Sequence, residues 1–133
     1  THKDWLKKYY PVPASKVSAK DALDHSIRKW KGLNKKVLKE YGATIDDYRV
    51  EFPSGFGLWV TSGTCALCVH FLDAVECERC PLAKHLGHRC DFSDGRITGP
   101  YPAFFCDGDT GPMLEALKGA KNENRQTKQA RRR

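Results

Sequence analysis

A small α+β fold, one domain closed around a cysteine module, follows from three observations in this chain. Apolar residues recur at three- and four-residue steps over 19–31, the run 48–52 alternates in side-chain character, and four cysteines fall within sixteen residues. With 133 residues, 40% hydrophobic and 29% charged, the composition is that of one globular domain rather than a disordered chain.

The elements follow in order. Lys3 to Tyr10 carries spaced aromatics, and Pro11-Val12-Pro13 enforces an extended turn. Ser18 and Asp21 form a capping box that predicts a helix over about 19–31, its apolar stripe being Ala19, Ala22, Leu23, Ile27 and Trp30. Lys20, Arg28, Lys29 and Lys31 lie off that stripe. Gly32 stops the helix, and Asn34 caps a second, short one that Gly42 ends, with Leu33 and Leu38 as a hydrophobic staple. This helical hairpin has a helix-turn-helix look. Its second helix, however, is about two turns long and carries few side chains suited to base edges, so it reads as a layer on the core.

The run 48–52, the turn at Pro53-Ser54-Gly55 and the run 56–61 predict a β-hairpin leading into the first cysteine pair. A short helix is expected at 69–72 and another from Pro81 to Gly87. Residues 91–111, rich in Gly, Pro and Asp, read as irregular, and 112–120 as a last helix with Met113, Leu114 and Leu117 inward. The expected domain is 1–121, with a basic helical part over 1–42 and an acidic, cysteine-bearing part over 43–121. Residues 122–133, without apolar periodicity, are expected to be a disordered basic tail.

Charge is segregated. Residues 1–41 hold eleven Lys/Arg against four Asp/Glu, residues 42–117 five against eleven, and residues 118–133 seven against one. Basic ends of this kind suit nucleic acid or an acidic protein, and equally a merely soluble surface. The nucleic-acid candidates are Lys20, Arg28, Lys29, Lys31, Lys35, Lys36, Lys39, Arg131, Arg132 and Arg133. No stretch reaches the roughly 18 apolar residues of a membrane span, and the first ten residues do not read as a signal peptide. A cytoplasmic location is therefore the expectation, and there clustered cysteines are more often metal ligands than disulfides.

Cys65-Ala66-Leu67-Cys68 and Cys77-Glu78-Arg79-Cys80 are separated by eight residues. A tight C-x-x-C turn puts both sulfurs on one side of the backbone, and two such turns supply four thiolates to one tetrahedral ion. The leading reading is a structural zinc site on Cys65, Cys68, Cys77 and Cys80. The spacer is shorter than the 15–20 residues of many zinc ribbons, which favours a compact knuckle-helix-knuckle. Cys90, Cys106, His85, His88 or His70 are substitutes, although Cys90 and Cys106 also read as small buried hydrophobes. Such coordination is worth about 10–16 kcal/mol in finger peptides, enough to fold a loop-rich region. An iron–sulfur cluster also takes four thiolates, and disulfides or a redox C-x-x-C are the remaining readings.

The order Cys65-x-x-Cys68, Cys77-x-x-Cys80-Pro81-Leu82, Gly87, Cys90 and Pro100-Tyr101, with Gly108-Asp109 and Pro112-Met113 beyond, resembles a pattern in small, uncharacterised phage and prophage proteins. It covers about 65–117. The resemblance implies a phage-encoded, metal-bearing accessory protein of the host cytoplasm, of the sort that binds and inhibits a host protein such as a defence factor. Nucleic-acid binding is the runner-up, and a metal-dependent enzyme the third class.

Other motifs fail on spacing. Asp107-Gly108-Asp109-Thr110-Gly111 starts like a phosphatase nucleophile loop, but too few residues follow it for such a fold. A calcium loop would need Gly and Glu where Pro112 and Lys118 stand. Gly55-Phe56-Gly57 lies in a hairpin, not between strand and helix. No Ser/His/Asp spacing stands out, so no catalytic residue is assigned and the balance is against an enzyme.

Overall fold

The computed structural model describes the chain except for residues 47, 72–78 and 133, and the side chains at 46, 62, 105–107 and 127–132. Helix α1 (His2–Tyr9) opens on a capping box between Thr1 and Asp4. Spaced aromatics marked this segment in the sequence without declaring a helix. Their purpose is packing: Trp5 is wholly buried, and its Nε1 donates to the Gly32 carbonyl at 2.9 Å. Two 3-10 turns follow, Ala14–Lys16 and Ala19–Asp21. Ser18 does bond Asp21, but it caps the second of these turns, and helix α2 proper runs Ala22–Gly32.

Gly32 is the last helical residue of α2 rather than a left-handed stop. A Cβ there would come within 2.5 Å of the Tyr9 ring, so glycine is what lets α1 and α2 approach. Helix α3 (Lys35–Glu40) starts as expected on Asn34, whose Oδ1 accepts the Lys36 amide at 2.9 Å.

Three antiparallel strands follow, β1 (Thr44–Asp46), β2 (Arg49–Glu51) and β3 (Gly57–Trp59), in spatial order β1-β2-β3. The hairpin β2–β3 is the predicted one. Strand β1 was not, because three residues with two of them polar give no readable alternation. Val50 pairs with Leu58 and both are buried, whereas Arg49 pairs with Trp59 on the outward face.

A 3-10 turn (Ser62–Thr64) leads into α4 (Ala66–Phe71), which begins three residues before its expected start. Helix α5 (Pro81–Leu86) has proline in its first turn and ends on left-handed Gly87, as its sequence predicts. Helix α6 (Pro100–Asp107) lies inside the stretch expected to be irregular. Proline at its first position and Gly108 beyond its end are ordinary helix punctuation, hidden by the surrounding glycines and aspartates. Helix α7 (Gly111–Arg132) contains the expected last helix and continues through the segment expected to be disordered. Its inner half is nucleated by packing, and each further residue then needs only propagation, which polar side chains permit.

Helix α2 is the hub, packed against α1, α4 and α7, and α7 packs in turn on α5 and α6. One core runs through all of them, with Trp5, Trp30, Leu33, Leu67, Phe104 and Leu117 wholly or almost wholly buried. Among the described residues no helix is long and apolar enough to cross a membrane.

Candidate metal centre

Cys65 immediately precedes α4, Cys68 lies in its first turn, Cys80 stands just before Pro81 of α5, and Cys90 follows α5. All four border one cavity of about 20 Å³, walled on its apolar side by Leu67, Leu82 and Ala83. A space of that size holds a single small ion or one water. Cys65, Cys68 and Cys90 also face an adjoining cavity of about 40 Å³ bordered by Ser26, Lys29, Trp30 and Tyr101.

The backbone explains how Cys90, distant in sequence, reaches the pairs. Its carbonyl accepts the Tyr101 amide at 3.0 Å, and a Cβ at Gly99 would come within 2.6 Å of the same oxygen. Only glycine admits this approach, which staples the 90–99 loop to the start of α6. Tyr101 then donates its hydroxyl to the Val60 carbonyl at 2.6 Å, and burial pushes its phenol up to about 12, so it remains a neutral donor.

The electrostatics are uneven. Cys68 donates to Cys65, and this bond, helped by Lys29 and by Ser26 (Oγ 3.9 Å from the sulfur), holds the Cys65 thiol well below its usual range. The same bond, together with burial, pushes Cys68 up. Lys29 is 1% exposed, and its Nζ donates to the Thr64 carbonyl at 3.2 Å. Burial lowers its pKa, while Cys65, Cys68 and Cys90 act in the opposite direction. A buried cation thus faces a group of sulfurs, at least one of them biased toward thiolate.

Of the predicted ligands, the structure brings together Cys65, Cys68 and Cys80 and adds Cys90, which the sequence offered only as a substitute. Cys77 lies outside the described residues, and so does the side chain of Cys106 on α6. His85 and His88 do not border the cavity. The His85 Nδ1 lies 2.7 Å from Glu123 Oε1, and the His88 Nδ1 donates to the Arg89 carbonyl at 2.7 Å. His70 is bonded to the Val17 carbonyl. As the side chains stand, no group of three or more His, Cys, Asp or Glu among the described residues is placed to hold a metal ion. The cysteines line the space without being drawn onto one point.

The basic candidates divide. Lys20, Lys31, Lys35, Lys36 and Lys39 are exposed, while Arg28, also exposed, donates to the carbonyls of Lys7 and Lys8 at the end of α1. Lys29 is corrected outright, since it is buried beside the cysteines and cannot reach a phosphate. Arg131 and Arg132 stand on α7, and Arg133 lies outside the described residues. The sequence reading missed the site roles of Ser26 and Lys29. Their signal was the spacing Ala22, Ser26, Lys29, Leu33, a second stripe at helical steps whose polar members concealed it.

Beside the cavity the sheet presents exposed aromatics. Trp59 is 54% exposed with the Arg49 guanidinium 5.6 Å from its ring centre, and Tyr48, 49% exposed, stacks on Tyr101. No protein family matches the chain, and neither a curated protein nor a solved structure does.

Proposed function

We propose that the chain is a zinc-bearing binding protein in which Cys65, Cys68, Cys80 and Cys90 hold one structural ion. The carrying observation is that these four cysteines line a single ion-sized cavity, and that a buried lysine lines the cavity adjoining it. The donor set fits zinc, because four thiolates make a closed tetrahedral site with no open position for a substrate or water. It is the size of the space that favours one ion over an iron–sulfur cluster. In the site the thiols supply the ligands, Lys29 supplies counter-charge, and the Cys90–Tyr101 link ties the site to the sheet. The surface this stiffens carries Trp59, Arg49 and Tyr48, residue types that anchor protein interfaces. A host protein is the partner, in keeping with the resemblance to small phage accessory proteins; the reading includes no catalysis.

The test is metal content of untagged protein by mass spectrometry beside its visible spectrum. One colourless zinc per chain is expected, lost in Cys65→Ser, Cys68→Ser, Cys80→Ser and Cys90→Ser alike. Iron with sulfide and a brown colour would overturn the reading, as would full zinc retention in Cys90→Ser.

A further inference from the structure

We propose that the outer half of α7 is an arm that grips the phosphate backbone of double-stranded nucleic acid. Among the described side chains the last core one of this helix is Ala120, yet the helix continues through Arg132. At 1.5 Å per residue those twelve residues make a rod of about 18 Å. Positions 118, 121, 125, 128 and 132 are all Lys or Arg, and their steps of three and four place them along one face of the helix. The acids of α7, Glu115 and Glu123, fall off that face, as do Met113, Ala116 and Ala120; Leu114 and Leu117 share its line within the body, so the stripe is basic from Lys118 outward.

The orientation of the arm is fixed where it leaves the body. Lys121 Nζ lies 2.6 Å from Asp24 Oδ1 on α2, while Glu123 bonds His85 on α5. These contacts hold α7 from two sides and set the rotation of the basic stripe. The helix dipole would account for cations in the last turn alone. It does not account for a stripe that begins four turns earlier.

The composition of the arm selects the partner. Between 121 and 132 the one apolar residue is Ala130. An interfacial membrane helix needs an apolar face, and a helix docking in a protein groove needs apolar anchors. Single-stranded nucleic acid is gripped by aromatic stacking, and the arm carries no aromatic residue. Its remaining positions are Arg131 and Asn122, Asn124, Gln126, Thr127 and Gln129, residue types that bond phosphates and base edges. A polar, cationic helix of this length suits a duplex. The inference is independent of the metal site.

The test is fluorescence anisotropy with a labelled DNA duplex across a salt series, using full-length protein and the triple variant Arg125→Glu, Lys128→Glu, Arg132→Glu. Wild type should bind with an affinity that falls by about 0.9 log units per log unit of salt for each phosphate neutralised, a slope near −4. The triple variant should lose at least about tenfold in affinity and about three units of slope. A chain truncated after Asn124 keeps the described core residues of α7 and the contacts of Lys121 and Glu123, and should show the same loss with an unchanged circular dichroism melt. Equal binding by wild type and triple variant would overturn the proposal. So would tighter binding to the single strand, or to polyglutamate, than to the duplex at the same salt.

Discussion

A buried ammonium without opposing charge costs several kcal/mol in desolvation, so the position of Lys29 asks for a reason. Its described surroundings are the Thr64 carbonyl, the Trp30 ring 5.5 Å from Nζ, and the sulfurs of Cys65, Cys68 and Cys90. Four thiolates on a divalent ion carry two net negative charges, and a lysine in the same low-dielectric space offsets one of them. Lys29→Met keeps most of the side chain's length and removes the charge. On the proposed zinc site the variant should bind the ion about 10- to 100-fold more weakly, as for lost second-shell partners generally. Competition against a chromophoric chelator measures this. The metal-free variant should melt no lower than metal-free wild type, since a desolvated cation has gone. Unchanged zinc affinity would leave Lys29 a packing residue. Why the sequence concealed this is a matter of packing: a helix with one neighbour shows one apolar stripe, whereas α2 packs on α1, α4 and α7 at once, and its second buried face carries Ser26 and Lys29.

At the scale of elements, what was legible was what local chemistry encodes. Asn34 before α3, Pro81 and Gly87 around α5, and the alternation of β2 and β3 all stand where their residues put them. Less legible were the elements that exist because something distant packs on them. Helix α1 is held by Trp5 reaching Gly32, and α6 by Phe104, whose ring meets Trp30 edge-on at 4.8 Å. Gly32 shows the difference in one residue, since its role lies across the α1–α2 interface rather than in its own backbone. Replacing it with alanine gains up to about 1 kcal/mol of helix propensity. The new Cβ would nonetheless stand 2.5–2.8 Å from three atoms of Tyr9, and overpacking of this kind costs about 1–3 kcal/mol. Gly32→Ala should therefore lower the denaturant midpoint. In a Tyr9→Ala background the same change should cost less, because the clash has been removed. Equal costs in both backgrounds would mean that α1 does not press on α2.

For the whole molecule, the sequence's division into a basic half and an acidic, cysteine-bearing half marks a change in charge and not a break in packing. Trp5 meets Phe52, Trp30 meets Phe104, Lys29 bonds Thr64 and Asp24 bonds Lys121, each pair joining the two parts. Helix α7 packs on α2 from the first part and on α5 and α6 from the second. Loss of a metal ligated by Cys65, Cys68, Cys80 and Cys90 would release α4 and α5, and with them two of the supports of α2 and α7. The consequence is cooperative. A strong zinc chelator should lower the melting temperature seen by far-ultraviolet circular dichroism and by tryptophan fluorescence by the same amount, in one transition. The second probe is informative because two of the three tryptophans, Trp5 and Trp30, are buried in the part that holds none of the cysteines, while Trp59 on β3 is already half exposed. Were the N-terminal helices a separate folding unit, fluorescence would keep its original midpoint while the circular dichroism split into two steps. Coincident transitions are the criterion for a single unit, and the shared core requires them.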